Sequence, residues 1–184
     1  MSVESKLQGA NEILIDAEIG PIWSILEDPA RIPEYFPSVQ HVEVPAGARE
    51  RVGARRRCHV ELNGRRGEVV ERCTEAVEGR RLTHVMDEDP FGFSRLFDGF
   101  GFTFVLEPVG ANQTRVRIEG FYREKTMLAR ALNVLMMRRK LSKLRAGILA
   151  NLKALLESSA SSGDRRLLEP AHAPGELSQH RDRN

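Results

Sequence analysis

The sequence predicts an α+β domain in which one long C-terminal helix lies across an antiparallel sheet of about six to seven strands, with two short helices after the first strand. Three observations predict it. Residues 124–157 are dense in Ala, Leu, Lys, Arg and Glu, with no Pro and a single glycine, Gly147, as a long helix requires. Within that run Met137, Leu141, Leu144, Ile148, Leu152 and Leu155 recur at steps of three and four, which at about 100° per residue makes one apolar stripe. Upstream, Asn63-Gly64 separates two alternating stretches, and both residue types tolerate the positive φ of a tight hairpin turn.

Taken in order, residues 12–16 form a first strand and leave residues 1–10 as an N-terminal extension. Gly20-Pro21 opens a short helix with Ile22, Trp23, Ile25 and Leu26 on its apolar face, and Asp28-Pro29 opens a second, stopped by Pro33 and Pro37. Residues 38–44 then alternate Val39, His41 and Glu43 with Gln40, Val42 and Val44, as a half-buried strand does. The two-residue turn at Asn63-Gly64 fixes the register of the next pair. Leu62/Arg65, Val60/Gly67, Cys58/Val69 and Arg56/Glu71 share the buried face, and Glu61/Arg66, His59/Glu68, Arg57/Val70 and Arg55/Arg72 share the wet one. In this register Cys58 and Cys73 sit about 13 Å apart along the ribbon, too far for a disulfide, so both are read as reduced packing residues.

Residues 81–87 read as a further strand, and 88–95 as a loop carrying Phe91 and Phe93. Residues 96–107 and 114–122 make a last strand pair, in which Phe100, Phe102 and Phe104 alternate on one face. After the helix, residues 158–184 are rich in Ser, Pro, Gly and charge without a period, the composition of a disordered tail.

With 184 residues, 41% apolar and 29% charged, the chain suits a single core, and its net charge of +2 names no partner. The N-terminus lacks a basic segment followed by an apolar one, and no apolar run approaches the roughly 18 residues of a membrane span, so a cytoplasmic location is the expectation. The arginine clusters of the strands alternate sides and meet glutamates without an aromatic platform, which argues against a nucleic-acid partner. Arg138-Arg139-Lys140 beside Met127, Leu128, Leu132, Leu135 and Met136 fits a transient membrane-surface or protein contact through residues 127–140; a solvated basic patch is the plainer alternative.

No catalytic motif stands in the chain: GxSxG, HExxH and GxxxxGK[ST] are all missing, and neither CxxC nor a nearby His pair completes a zinc site. No metal and no cofactor are expected. His59 faces Glu68 on the wet side as a surface ion pair, while His84 shares parity with Leu82 and Met86 and points inward, either as a hydrogen-bonded core histidine or as the polar group of a site. An inward Arg56–Glu71 pair is costly unless it meets water or the polar end of a ligand.

The element order, with ILIDAEIGPIWSILEDPARIPEYFPSVQHVEV, the GAR strand start, EVVERC, FTFVLEPVGANQTRVRIE and a closing LKALLE, resembles the START/Bet v 1-like (SRPBCC) superfamily over residues 11–157, in particular its polyketide cyclase/dehydrase-type branch. The resemblance implies a helix-grip: a curved sheet around the long helix with an apolar cavity between them. It implies in turn that the domain binds a hydrophobic small molecule such as a lipid, an isoprenoid quinone or an aromatic polyketide-like compound. Arg56, Cys58, Val60, Val69, Glu71, His84, Phe100, Phe102, Phe104, Leu128, Leu132 and Leu135 would line the cavity, with Phe91 and Phe93 near its mouth. A cyclase or aromatase that uses His84 or Glu71 to move protons is the alternative. An accessory or oligomer-forming module without a ligand is the second.

Projection of the long helix complicates this picture. Leu128, Ala131, Leu132 and Leu135 form a stripe about half a turn around the axis from the later one, with the changeover at residues 136–139. The helix must therefore bend or break near Met137, or face two partners. The expectation is that residues 141–156 pack on the sheet and the short helices, and that 124–136 form a more mobile segment near the cavity entrance.

Overall fold

A computed structural model describes residues 6–62 and 64–167. The turn residue Asn63, residues 1–5 of the expected extension and residues 168–184 of the expected tail lie outside the described residues. Seven strands form one antiparallel sheet in the order β1-β7-β6-β5-β4-β3-β2. In chain order the elements are β1 (Lys6–Ile15), α1 (Ile19–Leu26), a 3-10 turn (Pro29–Arg31), α2 (Ile32–Tyr35), β2 (Val39–Glu43), β3 (Arg55–Leu62) and β4 (Arg65–Val77). They continue with β5 (Arg81–Glu88), α3 (Phe93–Leu96), β6 (Phe97–Gly110), β7 (Gln113–Glu124), α4 (Met127–Leu132), a π-turn (Asn133–Met137) and α5 (Arg138–Leu167). This is the helix-grip: a curved sheet closed by the helices that enter between β1 and β2 and by the long helix at the C-terminal end.

Local chemistry accounts for most boundaries. Asp28 accepts from the Ala30 N–H at 3.0 Å, capping the 3-10 turn in front of Pro29. The β3/β4 ladder has the register that a two-residue turn imposes, with Arg56 opposite Glu71, Cys58 opposite Val69 and Val60 opposite Gly67. Gly64 takes φ +75° at that turn. Cys58 and Cys73 are free and buried.

Three differences stand out, and the first two have clear physical causes. β1 begins at Lys6, well before residue 12, because pairing with β7 from Lys6/Tyr122 onward supplies hydrogen bonds to a stretch whose side chains carry no strand signal. In β2 a register shift between Val39 and His41 breaks the alternation, so Val39 and Val42 both turn inward. α5 runs to Leu167, ten residues into the segment whose composition suggested a disordered tail.

The long helix resolves its two stripes through the π-turn, whose wider pitch shifts the helical phase between α4 and α5. Asn133 starts this turn fully buried; its carbonyl accepts a short hydrogen bond from the Tyr122 hydroxyl, and its amide donates to Gln8 at 3.2 Å and to Glu124 at 2.5 Å. Beyond the turn, Ile148, Leu149, Leu152 and Leu156 bury against the main core, with α5 packed on β1, β7 and α2. Ala129 before the turn, Met137 at its end and Leu141 after it pack with Phe97 and Tyr122 in a second, smaller cluster.

Candidate ligand site on the concave face

Strand register gathers the ionisable residues. Arg56 and Cys58 project inward from β3, Glu71 and Cys73 from β4, and His84 from β5, where Cys73 lies opposite His84 and His84 opposite Phe102 of β6. Gly101 lets β5 and β6 close up here, since a Cβ on it would fall 2.4 Å from the His84 carbonyl oxygen. Glu50 arrives from the loop between β2 and β3. That loop is tied to the end of α1 by the Glu50 N–H donating to the Glu27 carbonyl at 2.8 Å, and to β4 by Gly53 N–H donating to the Cys73 carbonyl at 2.8 Å.

The result is a charged cluster largely shielded from bulk water, with the Glu71 side chain at its most open edge, 13% exposed. Arg56 is 6% exposed and donates through Nε and Nη2 to Glu71 Oε2 at 2.9 and 2.7 Å, and through Nη1 to Glu50 in a short ion pair. His84 is 1% exposed, with Phe102 stacked on its ring at 5.6 Å. Its Nε2 lies 3.0 Å from Glu50 Oε2, yet off the line an N–H would need, and neither ring nitrogen is hydrogen-bonded among the described residues. Tyr35 closes the cluster from α2, buried and edge-on to Phe104 at 6.3 Å.

The electrostatics follow from burial and from one guanidinium between two carboxylates. Burial, then Arg56, holds the His84 imidazole below its ordinary range, so it is neutral at pH 7, with Glu50 acting in the opposite sense. Burial raises the Glu50 carboxyl, but the Arg56 guanidinium paired with it outweighs burial and holds it below its usual value. Burial followed by Glu71 pushes the Cys58 thiol up to about 12, and burial followed by Glu50 pushes Cys73 up to about 11. Neither thiol is a nucleophile under these conditions.

The donors present are a poor match for a metal ion. Ligand atoms of Glu50, Cys73 and His84 all lie within 4.8 Å of one another, close enough for a cation to draw them together. Against this, Arg56 already satisfies Glu50 with a positive charge, and Cys73 would have to lose a strongly held proton. As arranged, the cluster is better suited to orienting and hydrogen-bonding a polar organic group: Arg56 donates, and Glu50, Glu71 and neutral His84 accept protons or hydrogen bonds.

Of the residues expected to line a site, Arg56, Cys58, Val60, Val69, Glu71, His84, Phe102 and Phe104 lie together on this face. Phe100 does not join them. A register shift between Asp98 and Gly101, with Gly99 at φ +57°, carries it to the second cluster, where it stacks on Tyr122 at 5.2 Å. On the helix Leu132 is half-buried, whereas Leu128 and Leu135 face outward, away from the sheet. Phe91 and Phe93 are half-buried: Phe91 and Pro90 cover Gly67, and Phe93 stacks on Phe100 at 5.9 Å. His59 pairs chiefly with Glu43, at 2.7 Å, and more distantly with Glu68, at 3.7 Å. A groove of about 500 Å³ lies at the hairpin end, lined by Gln40, His59, Val60, Arg66, Gly67 and Glu68; it holds none of the buried ionisable side chains, so the cluster carries the chemistry.

Sequence reasoning missed Glu50, Tyr35 and the approach of Cys73 to His84. Glu50 sits in an irregular loop and Tyr35 in a single helical turn, where no periodicity marks an inward residue.

Compared with known proteins, residues 7–157 match the family model described as polyketide cyclase / dehydrase and lipid transport. Among solved structures the chain is similar to the di-domain ARO/CYC BexL from the BE-7585A biosynthetic pathway, with TM-score 0.64 and 22% identity over 81% of this chain and 46% of that one. It therefore spans under half of that protein's length. It is also similar to a START superfamily protein from Mycobacterium smegmatis, with TM-score 0.58 and 16% identity over 84% of this chain and 97% of that one. A norcoclaurine synthase point mutant from Thalictrum flavum, in complex with a transition-state analogue, gives TM-score 0.65 and 16% identity over 87% and 99%. At these identities the likeness is one of fold. Among curated proteins no sequence match is found.

Proposed function

The chain belongs to the polyketide cyclase/dehydrase and lipid transport family, and from that premise we propose that it binds a hydrophobic small molecule between the sheet and the long helix, its polar end held by Arg56, Glu50, Glu71 and His84. A lipid, an isoprenoid quinone or an aromatic polyketide-like compound has the required form: a large apolar body with one or two oxygen functions. The observation that carries this reading is the buried cluster itself. A buried imidazole with neither nitrogen hydrogen-bonded costs about 1–3 kcal/mol, a deficit that a ligand hydroxyl or carbonyl would relieve. Ile25, Leu26, Leu149 and Leu152 are buried in the same core, the apolar surroundings that the body of such a molecule would enter. Solvent extraction of the purified chain followed by native mass spectrometry is expected to find an apolar molecule, or, if the chain is empty, an apolar fluorescent probe is expected to bind. A chain that carries no ligand and binds no such probe refutes the proposal.

One observation favours a second reading, a cyclase or aromatase on the same site. Glu50 and Glu71 flank a neutral histidine, an arrangement that can take a proton from one carbon of a bound polyketide and return one to another. Under that reading Glu71→Gln or His84→Ala lowers turnover of an aromatic polyketide surrogate by about two orders of magnitude. Unchanged turnover in both variants removes these roles.

A further inference from the structure

Five large apolar side chains within ten residues, Met127, Leu128, Val134, Leu135 and Met136, are between 45% and 76% exposed. They belong to α4 and the π-turn, whose inward side chains, Ala129 and Asn133, are fully buried, so the segment is anchored while its outer face is apolar and uncovered. From residue 125 to residue 156 the chain carries eight Lys and Arg and no Asp or Glu, which leaves a net charge of −6 on the rest of the sequence. The strand arginines are neutralised: Arg55 and Arg72 on Asp87, Arg57 on Glu43 and Glu68, Arg117 on Glu107 and Glu119. By contrast Arg138, Arg139, Lys140 and Lys143, exposed and immediately beyond the apolar face, are not ion-paired among the described residues; Arg138 donates instead to the Gln8 side-chain oxygen at 3.2 Å.

We infer that residues 127–143 dock the protein onto an anionic lipid bilayer, with Met127, Leu128, Val134 and Leu135 immersed at the headgroup boundary and Arg138, Arg139, Lys140 and Lys143 paired with lipid phosphates. A helix with large flexible apolar residues on one side and free cations beside them binds such a surface through buried area and charge together. Charge selects this occupant over the others. A second copy seated symmetrically on this face would bring two sets of unpaired cations together, and a nucleic acid would leave the methionine and leucine side chains in water. The π-turn is what makes the face available: it rotates Leu128 and Leu135 away from the sheet while α5 beyond it keeps Ile148 and Leu152 on the core. The inference does not depend on whether the interior holds a ligand.

Flotation of the full chain with vesicles of phosphatidylcholine alone, and with vesicles of equal parts phosphatidylcholine and phosphatidylglycerol, tests it. Recovery is expected with the anionic vesicles and not with the neutral ones, and is lost at about 1 M salt, where the screening length falls to about 3 Å. Both L128E/L135E and R139E/K140E change only exposed side chains, so circular dichroism and Tm stay as in the parent chain, while partitioning falls by about tenfold or more. Equal recovery with both vesicle types, or undiminished flotation of both double variants, overturns the inference. So does a parent chain that scatters light as a dimer and becomes monomeric in L128E/L135E, because the face then belongs to a second copy.

Discussion

Removing Arg56 would strand two largely buried carboxylates, since Glu50 and Glu71 both rest on its guanidinium and their side chains are only 3% and 13% exposed. A buried ion pair stripped of one partner costs about 3–5 kcal/mol, so Arg56→Met is expected to lower the free energy of unfolding in urea by that amount. Glu71→Gln keeps an acceptor and should cost less, about 1–3 kcal/mol. A loss below about 1 kcal/mol for Arg56→Met would mean that the cluster opens to solvent. The pH dependence has a definite sign. His84 is held below its ordinary 6.5, so as pH falls through 6.5 the unfolded chain takes up its proton first, and stability declines until the folded imidazole also protonates. Glu50 lies below its ordinary 4.5; its contribution is complete above 4.5 and is lost as pH falls through the folded value. Tm should therefore fall between pH 7 and 5, and His84→Gln should flatten that limb; superimposable slopes for the two proteins would assign the decline elsewhere. Arg56, Glu71 and His84 were legible in the sequence because strand parity and a two-residue turn dictate which way a side chain points. Glu50 was not, because its direction is set by two loop hydrogen bonds, to Glu27 and Cys73, that no local pattern encodes.

At the scale of elements, the seam in the long helix was legible and its solution was not. Spacing arithmetic gives two stripes out of phase, but cannot tell a bend from a wide turn; that choice is made by Asn133, which must reach Tyr122, Gln8 and Glu124 at once. Replacing it with leucine leaves the Tyr122 hydroxyl buried without a partner and should cost about 1–3 kcal/mol. Combining Asn133→Leu with Tyr122→Phe should recover part of that loss, and a double-mutant cycle in urea measures the coupling. Strict additivity of the two changes would mean that the π-turn is held by packing alone. Phe100 teaches the same lesson for strands: alternation put it beside Phe102, and a bulge whose only sequence trace is Gly99 moved it to the Tyr122 cluster. Helix protection should follow the seam, with amides of residues 141–156 exchanging slowly beneath the core contacts of Ile148 and Leu152 and those of 127–136 faster, because one side of that segment lacks cover.

For the molecule as a whole, the concave cluster and the hairpin-end groove make different forecasts for the same ligand. A molecule that binds only the folded chain adds stability by mass action, about 2.7 kcal/mol at a hundredfold excess over Kd. For a chain of this length that corresponds to a Tm increase of roughly 5–10 °C, readable in a thermal scan with the extracted ligand or the apolar probe. The distribution of protection then identifies the place. A ligand whose polar end meets Arg56 and His84 has to pass the loop that carries Glu50, or part α5 from the sheet, because side chains of α1, α2 and α5 complete the core on that side. Exchange should therefore slow in residues 45–54 and in the inward-facing strands β3, β4 and β5, and it should do so in R139E/K140E as well, whose altered surface lies outside the fold's interior. Slowing confined to the neighbourhood of Gln40, His59 and Arg66 would transfer the site to the groove and leave the buried cluster a structural feature.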